Sequence, residues 1–537
     1  MASSSSKLPD KEERKGLLSN TEDAFNPADD DWKADPEFDD DDGSESQSGS
    51  SESESRKRIV FAAVALILLI LTGVTARTFL LSSRRNHPPD GTHPNLLFNG
   101  AGLRSNGTHD FKRTVLIVSI DGLRADYLDR GLTPHLLDIS KQGLRAKSMI
   151  PIFPTLTFPN HWALMTGLYA ESHGMVGNNF WDPATKTEFH YNRISSAWEP
   201  SWWLGEPMWE TAGKAGMITA NLMWVGPPKT TSGASPTYFV PWKDKVPMKE
   251  KLDQLVSWID LPLETRPQLL MAYEPSLDQA GHRAGPMSTL VNKTLGEVDL
   301  FAKNLHKALV ARNLTEIVDV VFVSDHGMTD TSHPEPIYMD DILGEAGYAS
   351  IEHEDGWPSM GLRFAPSANV THYLELLRAA SAKDDGKKFE VFVTKEEMPE
   401  RWHFANNERI APVYVVPKIG YMLTTRKEGD VGMSKGNHGY DNSAPSMHAM
   451  FVAHGPFSSV VKDLHQRRLA AFPPSIMERI AGRSRGHKNK GWHSTSDDVY
   501  VMDPFQNVEI YSLVMRLLGV EKVASTNGTA AFWDQYF

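Results

Sequence analysis

The chain has 537 residues, 23% of them charged, and a formal net charge of −13, a length that accommodates two to four average domains or one large α/β domain with additions. The charge is local: residues 1–55 hold 17 acidic and 5 basic side chains, so little net charge is left for the rest and no basic nucleic-acid surface is implied. With no cysteine in the sequence, thiolate chemistry, Fe–S clusters and a disulfide scaffold are excluded.

Residues 1–55 combine Ser, Asp and Glu, including Asp39–Asp42, with few apolar side chains. Such a segment cannot bury enough surface to offset its ordering entropy, and is expected to be a disordered acidic tail. Glu13-Arg14-Lys15-Gly16-Leu17-Leu18 has the form of an acidic dileucine sorting signal, or is a chance Leu-Leu pair. Ile59–Ala76 is an uncharged run of 18 residues, extended past Arg77 by Thr78–Leu81. That length spans a bilayer core, and it starts too deep in the chain for a cleaved signal peptide, which predicts a signal anchor over 56–81. Basic residues flank the run on both sides, so charge does not orient it. The glycosylation sequons at Asn106, Asn292, Asn313, Asn369 and Asn527 all follow it. They place the N-terminus in the cytosol and the bulk of the chain outside the cell or in a vacuole-like lumen, as a single-pass type II protein.

Residues 82–111, rich in Pro, Asn, Gly and His, read as a stalk. From 112 to 537 strand and helix alternate. Thr114–Ile120 is a continuous apolar run suited to a buried parallel strand. Thr133-Pro134 open a helix by cap and first-turn proline, and Gly143 ends it. Leu269–Tyr273, Ile317–Ser324 and Met447–Ala453 are further strands. Positions 291, 295, 298, 302, 305 and 309 put Val, Leu, Val, Ala, Leu and Leu on one face of a long helix. The fold class that follows is α/β, a mainly parallel sheet sandwiched by helices. Residues 340–436 break the alternation and predict an inserted subdomain; 462–496 is a basic loop with Arg483, Arg485, Lys488 and Lys490, and Pro504–Leu518 a closing helix.

Within this frame Pro151–Asn179 stands out. Thr157 lies between a proline-rich approach and a short helix ended by Gly167, so its hydroxyl is expected at a helix N-terminus, where free N–H groups favour a phosphate. A hydroxyl needs a base or a metal to become a nucleophile. Asp121, Asp278, His282, Asp325, His326 and His438 supply three carboxylates and three imidazoles. Asp121, Asp325 and, slightly further on, Asp278 follow the C-terminal ends of predicted strands, the rim where open α/β sheets bind ligands. Such a set, free of thiolate, suits two divalent ions, zinc or a similar metal.

The stretches S-I-D-G-L-R, P-T-L-T-F-P-N-H, E-S-H-G-M-V-G-N-N, D-x-x-x-H, S-D-H-G-M and G-N-H-G-Y-D-N, in this order across residues 112–455, resemble those of the nucleotide pyrophosphatase/phosphodiesterases of the alkaline phosphatase superfamily. The resemblance implies an alkaline phosphatase-like fold and hydrolysis of nucleotide diester and pyrophosphate bonds to 5′-monophosphates through a phosphothreonine. It implies one metal on Asp278, His282 and His438 and the other on Asp121, Asp325, His326 and the Thr157 oxygen. Thr157 is the implied nucleophile, with Thr155 the alternative. Asn178 is the implied phosphate-oxygen donor, with Asn179 the alternative. Phe158 and Trp242 are the implied walls of a base slot, Trp242 standing where the family usually has tyrosine, and Leu156 stands where animal members often have lysine. The partners expected are nucleotide or dinucleotide-type substrates and, through one helix, the membrane, with no stable nucleic-acid partner. Competing readings are a choline-type or lysophospholipid phosphodiesterase of the same superfamily and a catalytically silent membrane ectodomain.

Overall fold

The computed structural model describes residues 102–383, 385–429, 434–462, 501–529 and 531–536. The acidic tail, the Ile59–Ala76 span and nearly all of the basic loop lie outside the described residues. Among those described, no helix is long and apolar enough to cross a membrane.

The central sheet has seven strands, in chain order β1 (Thr114–Ile120), β2 (Leu144–Arg145), β3 (Thr219–Leu222), β4 (Tyr238–Val240), β5 (Leu269–Glu274), β6 (Val318–Val323) and β11 (Phe451–His454), arranged β2-β11-β6-β1-β5-β3-β4 across the sheet. β6, β1, β5, β3 and β4 run parallel, with Leu269 opposite Val115 and Val318 opposite Thr114. β11 pairs antiparallel with both β6 and β2. Every residue of β1, β5 and β6 is buried, because the sheet is covered on both sides. Val115 and Ile117 pack on one face with Trp162 and the closing helix α7 (Glu509–Leu518). Leu116, Val118 and Ile120 pack on the other, with α1 (Pro134–Gln142), α3 (Met248–Ile259) and α5 (Thr289–Ala311). This two-sided cover is why the strands read as unbroken apolar runs rather than alternating ones.

The stripe on α5 is observed as expected: Val291, Leu295, Val298, Ala302, Leu305 and Leu309 are all buried. Burial of each of its large side chains contributes roughly 1.5–3 kcal/mol. The N-terminus of α1 differs from expectation. Thr133 stands at the cap position but makes no side-chain cap bond; its hydroxyl donates to the Leu128 carbonyl. The cap comes from Asp299 on α5, whose carboxylate accepts from the His135 and Leu136 N–H groups.

A second, smaller sheet lies where the insertion was expected: β7 (Ile351–Asp355), β8 (Met360–Phe364), β9 (Phe389–Val393) and β10 (Val413–Pro417), with α6 (Val370–Ala382). Met360, Leu362, Leu377, Phe389, Val413 and Val415 belong to a core of its own, while Tyr414 and Val416 join the main core. The expected stalk ends earlier than 111. Arg104–Ser105 pairs with Asp110–Phe111, Arg104 donates to the Glu316 carbonyl, and Phe111 is buried under the Arg266 guanidinium.

Candidate metal centre and nucleophile

Three adjacent parallel strands deliver the acidic groups to one rim. Asp121 follows β1 directly, and its N–H donates to the Glu274 carbonyl that ends β5. Asp278 and His282 lie one turn apart on α4 (Ser276–Ala284), which begins just after β5. Asp325 and His326 follow β6, and His438 follows the short strand Gly436–Asn437. Close backbone approach makes this possible. Gly122 has φ +68 and faces Asp278, and a Cβ on Gly436 would stand 2.5 Å from the Gly281 carbonyl of α4.

The six expected ligands converge. His282 Nε2 lies 3.4 Å from Asp278 Oδ2 and 3.1 Å from His438 Nε2, and His438 Nε2 lies 3.5 Å from Asp278 Oδ1. His326 Nε2 lies 3.0 Å from Asp325 Oδ2 and 3.4 Å from Asp121 Oδ1. Thr157 Oγ1 is 3.1 Å from the same nitrogen. Asp278 is shared: its carboxylate also lies within 4.8 Å of ligand atoms on both Asp121 and His326. The sequence placed Asp278 beside His282 and His438 only.

Each imidazole is fixed from behind. His282 Nδ1 meets the Gly436 carbonyl at 2.9 Å, His326 Nδ1 the Gly327 carbonyl at 2.9 Å and His438 Nδ1 the Thr155 carbonyl at 2.9 Å. With Nδ1–H donating backward, Nε2 presents a lone pair to the site. Burial, then neighbouring His326 and His282, push His438 well below its ordinary value, so it stays neutral. Burial, then Asp325 and Asp278, raise Asp121 well above the carboxylate range. Burial alone would raise Asp325 too, but His326 and His161 hold it well below. Asp121 Oδ1, Asp278 Oδ1 and Asp325 Oδ2 are buried without a hydrogen-bond partner. Three crowded carboxylates with orphaned oxygens, faced by three imidazole lone pairs, are a donor set that divalent cations satisfy and that protein groups here do not.

The nucleophile's setting is equally specific. α2 (Thr157–Thr166) starts at Thr157 and stops at Gly167, which has φ 67. His161, fully buried one turn on, reaches the Thr157 carbonyl and Asp325 through Nδ1, at 2.9 and 3.3 Å, and Ser119 Oγ through Nε2 at 2.9 Å. Thr155, the alternative nucleophile, is buried with its hydroxyl donating to the Tyr440 carbonyl and accepting from Gly439 N–H; it braces the His438 loop instead. Asn178 Oδ1 accepts from Phe158 N–H at 3.1 Å, which leaves its amide nitrogen as the free donor. Asn179 begins a hairpin strand, Asn179–Asp182.

Phe158 is partly buried, its ring beside Tyr191 and Phe189 at 5.5 and 5.8 Å. Sequence reasoning passed over Tyr191, which no motif marks. Its N–H donates to the Asn178 carbonyl, and burial together with the Asp278 charge pushes its hydroxyl up to about 12. Trp242 is 51% exposed just beyond β4 and stacks on no other ring among the described residues. Among the sequon asparagines, Asn106 and Asn313 are tied together by a bond from Asn313 Nδ2 to the Asn106 carbonyl, and Asn292 accepts from Arg130. Asn369 caps α6, and Asn527 accepts from Tyr169 N–H. A cavity of about 390 Å³ between Trp181, His353 and Arg363 includes none of the six ligands.

The family model described as type I phosphodiesterase/nucleotide pyrophosphatase matches residues 115–441. The chain belongs to this family. It is 36% identical over 434 residues to an uncharacterized pyrophosphatase/phosphodiesterase of Schizosaccharomyces pombe, covering 80% of this chain and 81% of that one. To ectonucleotide pyrophosphatase/phosphodiesterase family member 3 of Mus musculus it is 32% identical over 77% of this chain but only 43% of the mouse protein. The solved structure of murine ectonucleotide pyrophosphatase/phosphodiesterase 5 aligns with a TM-score of 0.64 at 29% identity, covering 78% of this chain and 98% of that chain. An inactive threonine-to-alanine variant of that murine protein, in complex with AMP, aligns at 0.63 and 28% identity. The phosphodiesterase is thus a hydrolase with an alkaline phosphatase-type α/β fold.

Proposed function

We propose that this phosphodiesterase cleaves phosphodiester and phosphoanhydride bonds of nucleotides, releasing nucleoside 5′-monophosphates, with Thr157 as nucleophile and a transient phosphothreonine. The observation that carries the reading is Thr157 Oγ1 standing at the start of α2, 3.1 Å from His326 Nε2 in the converged carboxylate–imidazole set. Two divalent cations, zinc by donor type, one held by Asp278, His282 and His438 and one by Asp121, Asp325, His326 and Thr157, would supply Lewis-acid charge and lower the pKa of hydroxyl and water. Thr157 attacks the α-phosphorus in line, the bond to the leaving oxygen breaks, and water then cleaves the threonine ester with its oxygen ending on the monophosphate. The Asn178 amide donates to a non-bridging phosphate oxygen as charge builds there. Phe158 offers its face to the base, with Trp242 as the second wall. The intact ligand set argues against a silent ectodomain. The Ile59–Ala76 run anchors the chain as a type II protein, with the sequons, glycosylated, on the luminal or outer side.

The test uses the purified full-length chain on a nucleotide diester, a phosphate monoester and a phosphocholine ester, beside Thr157→Ala. Preference for the diester, lost in Thr157→Ala with metal content unchanged, is expected. Preference for the phosphocholine ester would replace the nucleotide reading, and unchanged activity of Thr157→Ala would discard the nucleophile.

A further inference from the structure

We infer that the buried ion pair Lys251–Glu274 is a positioning device that sets the turn carrying Asp278. The inference rests on reading Asp278, His282 and His438 as metal ligands. Lys251 on α3 and Glu274 at the end of β5 are each 4% exposed. Lys251 Nζ donates to Glu274 Oε2 at 2.8 Å and to the Tyr273 carbonyl at 3.2 Å. Glu274 uses its other oxygen to accept from Ser276 N–H at 3.0 Å. Ser276 opens α4, and the residue before it, Pro275, has no side chain able to cap the helix. Glu274 therefore takes the cap's part for the first turn, and Asp278 stands two residues further on. The Glu274 backbone acts in the opposite direction, its carbonyl accepting from Asp121 N–H at 2.9 Å. One residue thus ties the Asp278 helix with its side chain and the Asp121 backbone with its main chain.

Stability does not account for the pair. Removing two charges from water costs about as much as their attraction returns, and buried pairs are often replaced by apolar residues without loss. The geometry gives a different reason. An acceptor is needed beside Ser276 N–H, a carboxylate fills that place, and Lys251 neutralises it so that it adds no fourth negative charge behind Asp121, Asp278 and Asp325.

The test compares two double variants of the full-length chain, Lys251→Met/Glu274→Gln and Lys251→Met/Glu274→Leu. Both lack the ion pair, but only the first keeps an acceptor for Ser276 N–H. Zinc affinity is read by chelator competition, and melting temperature is read alongside. The Gln form is expected to bind zinc within about threefold of wild type, whereas the Leu form binds about 10–100-fold more weakly, the usual cost of losing an outer-shell partner. If the Leu form does not fold, Lys251→Met/Glu274→Met refills the volume and takes its place. Equal zinc affinity of the two double variants, both normal or both weak, overturns the inference, however their melting temperatures differ. His438→Ala in the same titration separates the two levels: unchanged zinc binding there removes the ligand reading itself.

Discussion

Asp278→Asn should stabilise the metal-stripped protein and destabilise the metal-loaded one. Asp278 has ligand atoms within 4.8 Å of those on Asp121 and His326, and burial raises its pKa above the ordinary carboxylate value. Two like charges at that spacing repel by about 3.5 kcal/mol at an effective dielectric near 20. His282 and His326 offset part of this when protonated, so near pH 8, where both are mostly neutral, removing the Asp278 charge should return about 1–3 kcal/mol. With metal bound the sign reverses. Ligand at about a thousand times its dissociation constant contributes about 4 kcal/mol to the wild type, and the variant forfeits much of that through the loss of an anionic donor shared by both metal positions. Scanning calorimetry of both proteins, in excess chelator and again in excess zinc, should show the melting order invert. A variant that melts below wild type in both conditions would refute the account of Asp278 as a crowded, cation-dependent carboxylate.

Gly436→Ala should weaken metal binding without touching any ligand, because the new Cβ meets the Gly281 carbonyl at 2.5 Å and must push α4 and the His438 loop apart; chelator competition should show reduced zinc affinity, and an unchanged value would count against the close approach. Asp319 supplies a pH signature away from the site. Burial raises its carboxyl to about 7 while it accepts from Phe457 N–H. A folded pKa above the unfolded value of about 3.9 means the native state binds the extra proton, so this contribution is whole below about pH 4 and is lost as pH rises through about 7. Asp319→Asn should therefore be near neutral at about pH 4 and stabilising by up to about 4 kcal/mol at about pH 8, as read by urea unfolding at both.

The sequence by itself determined the chemistry and the layout. Apolar runs at Thr114–Ile120 and Val318–Val323, each ending on an aspartate, fix parallel strands whose C-terminal ends hold carboxylates. That inference needs only local pattern and the rule that ligands gather on one rim of such a sheet. Thr157 at a helix start was legible in the same way, from Gly167 and the proline-rich approach. What local pattern does not contain is which distant group answers a given N–H or lone pair. Asp299 capping α1 from α5, Thr155 bracing His438, Tyr191 standing between Phe158 and Asn178, and Glu274 capping the helix of Asp278 from the preceding strand end are all cases of this kind. The sharing of Asp278 between both ligand groups belongs with them, since it turns on a few ångströms of separation between α4 and two strand ends. Those distances are set by sheet register and helix packing across more than a hundred residues of chain, so only the tertiary structure decided them.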